Sequence, residues 1–433
     1  MPFRIKVLLA FEICAALGTV IRPFWGLLFL ILLTLLRPQD DRPNMADLHI
    51  PMVITWALII ATVSRVSSLA GRVGFALRNL SLFIALYVLM VLAAFVNDLT
   101  PYSKYQIGDS LTILIVSCLI LIWVSTRERL TALVWTMLLS GLYYVQLVVR
   151  NPTFMQEQIG QSEFDRLAFR QSINFGNPNF LAILMVILIF LALALLVRQR
   201  RLWRKVILAM ALLGYLYVFL RCQSRGASLG LAAGVLIYWL MQRRKLLVAA
   251  VMAISVTIGL AFLVPAGYLQ RLQTIVYYQE DKSATGRLEM WAISRDVIAD
   301  NPLFGIGPGN FALRYPTMSQ HNAYLQVASE VGIPALLLYI ALLLSGYRSL
   351  WVVRRLTAPR ARDLPDLRSF SEGLFCALVA ITVQGFFTGF AFREFVYITL
   401  ALTYCLREMV LSEETSEEPA QPEVVAPASY AES

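Results

Sequence analysis

Residues 179–197 read NFLAILMVILIFLALALLV, an apolar run that contains no charged side chain. A helix needs about 20 predominantly apolar residues to cross the hydrocarbon core of a bilayer. Similar runs lie near residues 5–36, 51–64, 80–97, 107–124, 130–149, 203–220, 226–241, 246–264, 323–345, 370–390 and 395–407. The sequence therefore predicts an all-α, polytopic transmembrane bundle of about twelve spans. The first run is interrupted at Arg22-Pro23, so it is either one kinked helix or two short helices.

The composition excludes an ordinary water-soluble enzyme. The 433 residues are 58% hydrophobic and 15% charged, with a mean hydropathy of +0.68. Soluble domains are about 45–50% apolar and about 25% charged. The net charge of +10 is compatible with nucleic acid, but the sequence shows neither a basic stripe nor a binding motif of that kind. Membrane lipids and anionic, phosphate-bearing substrates are the expected partners, and nucleic acid is not.

The basic residues predict the orientation of the chain. Cytoplasmic loops are enriched in Lys and Arg, and an inside N-terminus places 22 basic residues on the cytoplasmic side and 14 on the opposite side. Both termini are therefore expected in the cytoplasm. A large loop, residues 265–322, is expected on the outer face between the spans near 246–264 and 323–345.

The C-terminal segment, residues 412–433, differs from the rest of the chain. It contains six of the 27 acidic residues and no Lys or Arg, so residues 1–411 carry a net charge of +16. Three prolines and few large apolar side chains are typical of a disordered, solvated segment. We expect one transmembrane domain, residues 1–411, and a disordered acidic cytoplasmic tail, residues 412–433.

Several arginines remain on the outer face, where basic residues should be scarce. Guanidinium binds phosphate oxygens through two parallel hydrogen bonds, so Arg170, Arg225 and Arg287 could together hold a pyrophosphate. Alternatively, each could extend to lipid headgroups or pair with a nearby acid such as Glu163, Asp165 or Glu289. Arg225 precedes Gly226, Ala227, Ser228 and Gly230, which would allow close helix packing. Arg287 begins a stretch, with Leu288, Trp291, Val297 and Ile298, that predicts an amphipathic helix.

The chain has two histidines, His49 and His321. His321 lies where the large loop meets a span, and its ordinary pKa near 6.5 suits a general base. It could instead cap the following helix. Because the histidines are far apart and no Asp-x-Asp pair occurs, the sequence predicts neither a metal ion nor another cofactor.

The stretch from Thr285 to Gly332 resembles the signature region of the O-antigen ligase family. The motifs that carry the resemblance are Thr285-Gly286-Arg287 with Trp291, the run from Asn301 to Phe311, His321-Asn322-Ala323-Tyr324-Leu325, and Glu330-Val331-Gly332. Two earlier segments, the run Asn174 to Asn179 and Ser224-Arg225-Gly226-Ala227, also look like that family. The resemblance covers about residues 170–345, and the predicted layout of spans is similar too.

The resemblance implies a bacterial inner-membrane enzyme that transfers a glycan from undecaprenyl pyrophosphate to an acceptor on the periplasmic face. It implies that Arg170, Arg225 and Arg287 bind the pyrophosphate and that His321 takes the proton of the acceptor hydroxyl. Transfer would invert the anomeric centre without a metal. The acceptor stays open among lipid A core, a second glycan and a protein hydroxyl, so ligase and polymerase are both possible. The glycines between Gly305 and Gly309 are expected to shape a turn.

Two other functional classes stay open at this point. A transporter or flippase for an anionic lipid-linked saccharide could also line its path with these arginines. However, the two halves of the sequence show no internal repeat of the kind that transporters often carry. A scaffold subunit of an envelope assembly complex would have no individually essential polar residue in its outer loops.

Overall fold

The computed structural model describes residues 3–36, 50–150, 177–242, 244–246, 282–315, 319–358 and 365–417. Every regular element within these ranges is a helix, so the all-α prediction is confirmed for them. Arg170, His49 and nearly all of the predicted span 246–264 lie outside the described residues.

We number the described helices in chain order. They are α1 Phe3–Ile21, α2 Pro23–Leu36, α3 Ile50–Val63, α4 Val66–Val96, α5 Pro101–Trp123, α6 Arg127–Arg150, α7 Pro178–Arg198, α8 Leu202–Cys222, α9 Arg225–Met241, α10 Lys282–Asp300, α11 Phe311–Arg314, α12 Ala323–Val331, α13 Ile333–Thr357, α14 Pro365–Gly385 and α15 Glu394–Glu417.

Seven of these helices are long and apolar enough to cross a membrane: α4, α5, α6, α7, α8, α13 and the part of α15 from Glu394 to Glu414. Shorter apolar helices include α2, α3 and α9. The structure thus supports a polytopic helical membrane protein, while the number of twelve spans and the cytoplasmic position of the termini stay predictions.

The first predicted span is divided into two helices. α1 ends at Ile21 and α2 begins at Pro23, so the division falls at the predicted interruption. Proline is favourable at the first position of a helix because the N–H that it lacks has no partner there. Gly26 allows α2 to fold back on α1, because a Cβ at this position would overlap the Thr19 side chain.

The predicted span 323–345 is also divided, at Gly332. α12 ends at Val331, and the membrane helix α13 begins only at Ile333. Gly332 has a φ of 103°, and the Ile333 N–H donates to the carbonyl oxygen of Pro302 at 2.8 Å. Because apolar residues continue across this break, the hydropathy pattern predicted one span where the backbone forms two helices.

The last helix extends into the segment expected as a tail. α15 continues to Glu417, and Arg127 Nε donates to the Glu413 carboxylate at 2.7 Å. Residues 412–417 are therefore helical, and residues 418–433 lie outside the described part of the chain. The predicted boundary at residue 411 falls within α15.

α7 and α14 form the centre of the bundle. α7 packs against α6, α8, α9 and α14, and α14 also packs against α9, α13 and α15. The small residues that follow Arg225 allow the expected close approach of α9. A Cβ at Gly230 would lie 2.8 Å from the Ala380 carbonyl oxygen, and one at Gly234 would lie 2.9 Å from the Cys376 oxygen. These contacts place the start of α9 against the end of α14.

We expect Gly332→Ala to destabilise the protein markedly. A side chain at a φ of 103° is strained by about 1–3 kcal/mol, and its Cβ would also overlap the carbonyl oxygen of Leu303. Gly74→Ala is the matched control, because a Cβ at this helical glycine meets no atom within 4 Å. It should be neutral or stabilising by up to about 1 kcal/mol. Thermal unfolding in detergent measures both, and equal midpoints would contradict the role assigned to Gly332.

Candidate functional site

Hydrogen bonds join the starts of α7 and α9 to the end of α14. The Asn177 side chain caps α7 by accepting from the Asn179 N–H at 2.9 Å. Ser224 Oγ donates to Asn179 Oδ1 at 2.6 Å, and Gln384 Nε2 donates to the Asn179 carbonyl oxygen at 2.9 Å. Two motifs that are 45 residues apart in sequence are therefore in direct contact.

Arg225 is the first residue of α9 and is only 8% exposed. The preceding residue, Ser224, caps the helix by accepting from the Ala227 N–H at 3.3 Å. The N-terminal end of a helix carries a partial positive charge and unpaired N–H groups, which favour anions. The guanidinium and the helix end thus produce positive potential at the same place.

The turn between α14 and α15, residues 386–393, connects the Arg225 region with the His321 region. A Cβ at Gly226 would lie 2.7 Å from Phe387 Cβ, so the start of α9 packs directly on this turn. At Gly389, a Cβ would lie 3.2 Å from Gln326 Oε1 and 3.9 Å from the Asn322 nitrogen. The 386–393 turn therefore contacts both the helix that begins at Arg225 and the chain next to His321.

Residues 319–322 form a strap that carries His321 and leads into α12. Trp291 Nε1 on α10 donates to the Gln320 carbonyl oxygen at 3.0 Å. Arg287 is half-buried and lies four residues before Trp291, so both side chains share one face of α10. This bond places the helix of Arg287 against the residue that precedes His321.

α10 confirms the predicted helix, with two differences. It begins at Lys282, so Thr285-Gly286-Arg287 lies inside the helix and does not start it. Its buried face is formed by Met290, Ser294 and Val297, which pack toward Ile306 and Phe311, whereas Leu288 is exposed. The spacing of apolar residues indicated the helix but misplaced part of its buried face.

The role of a helix cap belongs to Asn322 and not to His321. Asn322 Oδ1 accepts from the N–H groups of Tyr324 at 2.9 Å and Leu325 at 3.0 Å. His321 has a φ of 46°, a left-handed backbone conformation that is uncommon for a non-glycine residue. The capping interpretation of His321 is therefore not supported by the contacts at the start of α12.

The glycine-rich run, residues 301–310, forms a turn as expected. Gly305, Gly307 and Gly309 all have positive φ values. A Cβ at Gly305 would lie 2.5 Å from the Ser329 carbonyl oxygen, and the Ile306 N–H donates to this oxygen at 2.9 Å. On its other side, Ser103 Oγ at the start of α5 donates to the Pro308 carbonyl oxygen at 2.9 Å.

Two side chains near this region were not predicted as site residues from the sequence. The Arg393 guanidinium lies 4.9 Å from the ring centroid of Phe180, the neighbour of Asn179. Its position in a turn predicted to lie on the outer face made Arg393 as strong a candidate as the other arginines predicted there. Glu330 is 4% exposed and contacts both the glycine-rich turn and the strap. No spacing rule connects Glu330 with Gly309, which lies 21 residues earlier.

The predicted site residues have different outcomes. The start of α9, with Arg225, packs on the 386–393 turn, and this turn and α10, with Arg287, each contact the strap that carries His321. Arg170 lies outside the described residues. In the described part of the chain, no group of three or more His, Cys, Asp or Glu side chains is arranged to hold a metal ion.

A comparison with family models finds a match to part of the chain. Residues 215–340 match the family model described as O-Antigen ligase, and the matched segment contains Arg225, Arg287 and His321. The search of curated proteins gives no match. The matched segment runs from within α8 to the start of α13 and includes the strap, α12 and the glycine-rich turn. Residues 215–340, less than a third of the chain, are thus similar to the O-antigen ligase family.

Proposed function

We propose that the chain is a glycan ligase or polymerase that uses an undecaprenyl-pyrophosphate-linked glycan as donor and an acceptor hydroxyl on the periplasmic face. The family match and the apolar helices together indicate a bacterial membrane protein with glycan-transfer activity of the O-antigen ligase type. Two contacts support the finer proposal. α10, which carries Arg287, packs on the strap of His321, and the start of α9, with Arg225, packs on the 386–393 turn that also contacts the strap.

The donor side of the proposed reaction rests on arginines. Arg225 and Arg287, with Arg170, would bind the pyrophosphate and stabilise the negative charge that it gains as the glycosidic bond breaks. The position of Arg225 at the start of α9 supports this role, because the helix dipole favours the same anion. Arg393, stacked on Phe180, would add to the positive potential.

The acceptor side rests on His321. The acceptor oxygen would attack the anomeric carbon from the face opposite to the carrier, so the configuration inverts. His321 takes the hydroxyl proton, and the electron pair of the broken C–O bond leaves with undecaprenyl pyrophosphate. A positioned base contributes about 10²–10⁴-fold to the rate, and orientation and charge stabilisation would supply the rest. No step in this scheme requires a metal.

A transfer assay in detergent distinguishes this proposal from a transporter or flippase. Detergent micelles have no inside or outside, so transport cannot produce a new covalent product in them. Purified protein, an undecaprenyl-pyrophosphate oligosaccharide and candidate acceptors should yield a longer or newly attached glycan. A protein that flips this donor in liposomes but gives no product in detergent would contradict the enzyme.

We expect His321→Asn to abolish transfer while the protein still folds. Asparagine tolerates the left-handed backbone at this position but cannot act as a base near neutral pH. The rate should fall by about 10²–10⁴-fold in the detergent assay. His49→Asn is the control and should behave as the wild type. A His321→Asn rate within about threefold of the wild type, at equal expression, would exclude His321 as the base.

We expect Arg225→Lys to impair use of the donor. Lysine keeps the charge but loses the paired hydrogen bonds of guanidinium, each worth about 1.5–3 kcal/mol when the acceptor is charged. The kcat/KM for the donor should fall by about 10- to 100-fold. Arg295→Lys is the matched control, because Arg295 lies on α10 with 76% of its side chain exposed. Equal effects of the two substitutions would mean that Arg225 does not bind pyrophosphate.

A further inference from the structure

Glu330 is a buried carboxylate with two hydrogen-bond partners in separate parts of the outer region. Its Oε2 accepts from the Gly309 N–H at 3.0 Å, and its Oε1 accepts from Gln320 Nε2 at 3.2 Å. Both donors are neutral, and burial raises the pKa of Glu330 to about 7 despite these bonds. Burying a carboxyl group costs free energy that an apolar side chain of similar size would not. This cost suggests a role other than stability.

The partner of Glu330 in the strap is itself anchored on several sides. Gln320 is 4% exposed, and its Nε2 also lies 3.3 Å from Ser329 Oγ. Its carbonyl oxygen accepts from Trp291 Nε1 at 3.0 Å. Glu330, Gln320 and Trp291 thus form one network that links the glycine-rich turn to α10, one helical turn from Arg287.

His321 lies between two fixed residues. Gln320 is held by the network before it, and Asn322 is held by its two cap hydrogen bonds after it. The left-handed conformation of His321 is uncommon for a non-glycine residue and is favoured here by its surroundings. The anchors on both sides supply that constraint.

We propose that Glu330 is a positioning residue for His321. Its carboxylate joins the glycine-rich turn to the strap and thereby fixes the direction of the imidazole. The effect of Glu330 on catalysis rests on the proposed function, whereas its effect on the position of His321 does not. A base that is displaced by about 1 Å can lose about 10²-fold in rate, so the contribution of Glu330 would be large although it touches no substrate.

Two substitutions of Glu330 separate positioning from direct catalysis. In Glu330→Gln, the amide oxygen can accept from Gly309, and the amide nitrogen can donate to Gln320 once the Gln320 amide rotates. In Glu330→Ala both bonds are lost. We expect Glu330→Gln to keep kcat within about threefold and Glu330→Ala to lower it by about 10- to 100-fold, with the donor KM unchanged. Equal loss in both variants would overturn positioning and indicate direct chemistry by the carboxylate.

The reactivity of His321 provides a readout that does not depend on transfer. In a His49→Gln background, His321 is the remaining histidine, and diethylpyrocarbonate modification reports its environment. We expect Glu330→Ala to change the modification rate several-fold and Glu330→Gln to leave it unchanged. An unchanged rate in Glu330→Ala would overturn the proposal. If the wild type shows no transfer at all, the proposed function fails, whereas this measurement still decides the positioning role.

Gln320→Ala tests the same contact from the other side. It should reproduce the loss of kcat and the change in His321 reactivity, and the double variant with Glu330→Ala should be no worse than the more affected single variant. If Glu330→Ala fails to fold, Gln320→Ala replaces it in both measurements. Asp300→Ala, at the exposed end of α10, is the carboxylate control and should match the wild type. Additive losses in the double variant would overturn the shared network.

Discussion

The packing of the glycine-rich turn against the end of α12 is the contact on which the region around the strap depends. Backbone meets backbone there, because a Cβ at Gly305 would lie 2.5 Å from the Ser329 carbonyl oxygen. Hydrogen bonds from Ile306 to Ser329 and from Ile333 to Pro302 close the contact on both sides of Gly332. Since α12 continues directly from the strap, the position of the turn also determines where His321 lies.

A second group of helix ends is also held together by hydrogen bonds. The starts of α7 and α9 and the end of α14 are joined through Asn179, and Arg225 extends from this group. A cation at the first residue of a helix opposes the helix dipole, and its burial adds a desolvation cost. In the proposed function, the donor pyrophosphate would be an anion at this end of α9, where the helix dipole favours negative charge. In the proposed site, Arg225 of the donor-binding part belongs to α9, and His321 belongs to the strap that precedes α12. The 386–393 turn contacts both elements.

The sequence predicted the helical class and most helix positions, because a bilayer permits few other backbone structures. The sequence was a poorer guide to the positions at which irregular backbone interrupts an apolar run. The division at Gly332 depends on a φ of 103°, and hydropathy carries no information about φ. The candidate roles of Arg225, Arg287 and His321 came from their chemistry and from the family resemblance. The contact of Gly226 with Phe387 joins residues more than 150 positions apart and leaves no local pattern.

Gln320 and Asn322 make the structural hydrogen bonds around His321, which gives a physical reason for the sequence Gln320-His321-Asn322. A histidine that capped α12 would direct a ring nitrogen to the helix end and could not also accept a proton from an acceptor. Here Asn322 makes both cap hydrogen bonds, and Gln320 makes the bonds to Glu330 and Trp291. The hydrogen bonds that hold the strap in place are thus made by Gln320 and Asn322, on either side of His321. In the proposed function, the cap that Asn322 makes spares His321 this structural role, which suits a residue that must accept a proton.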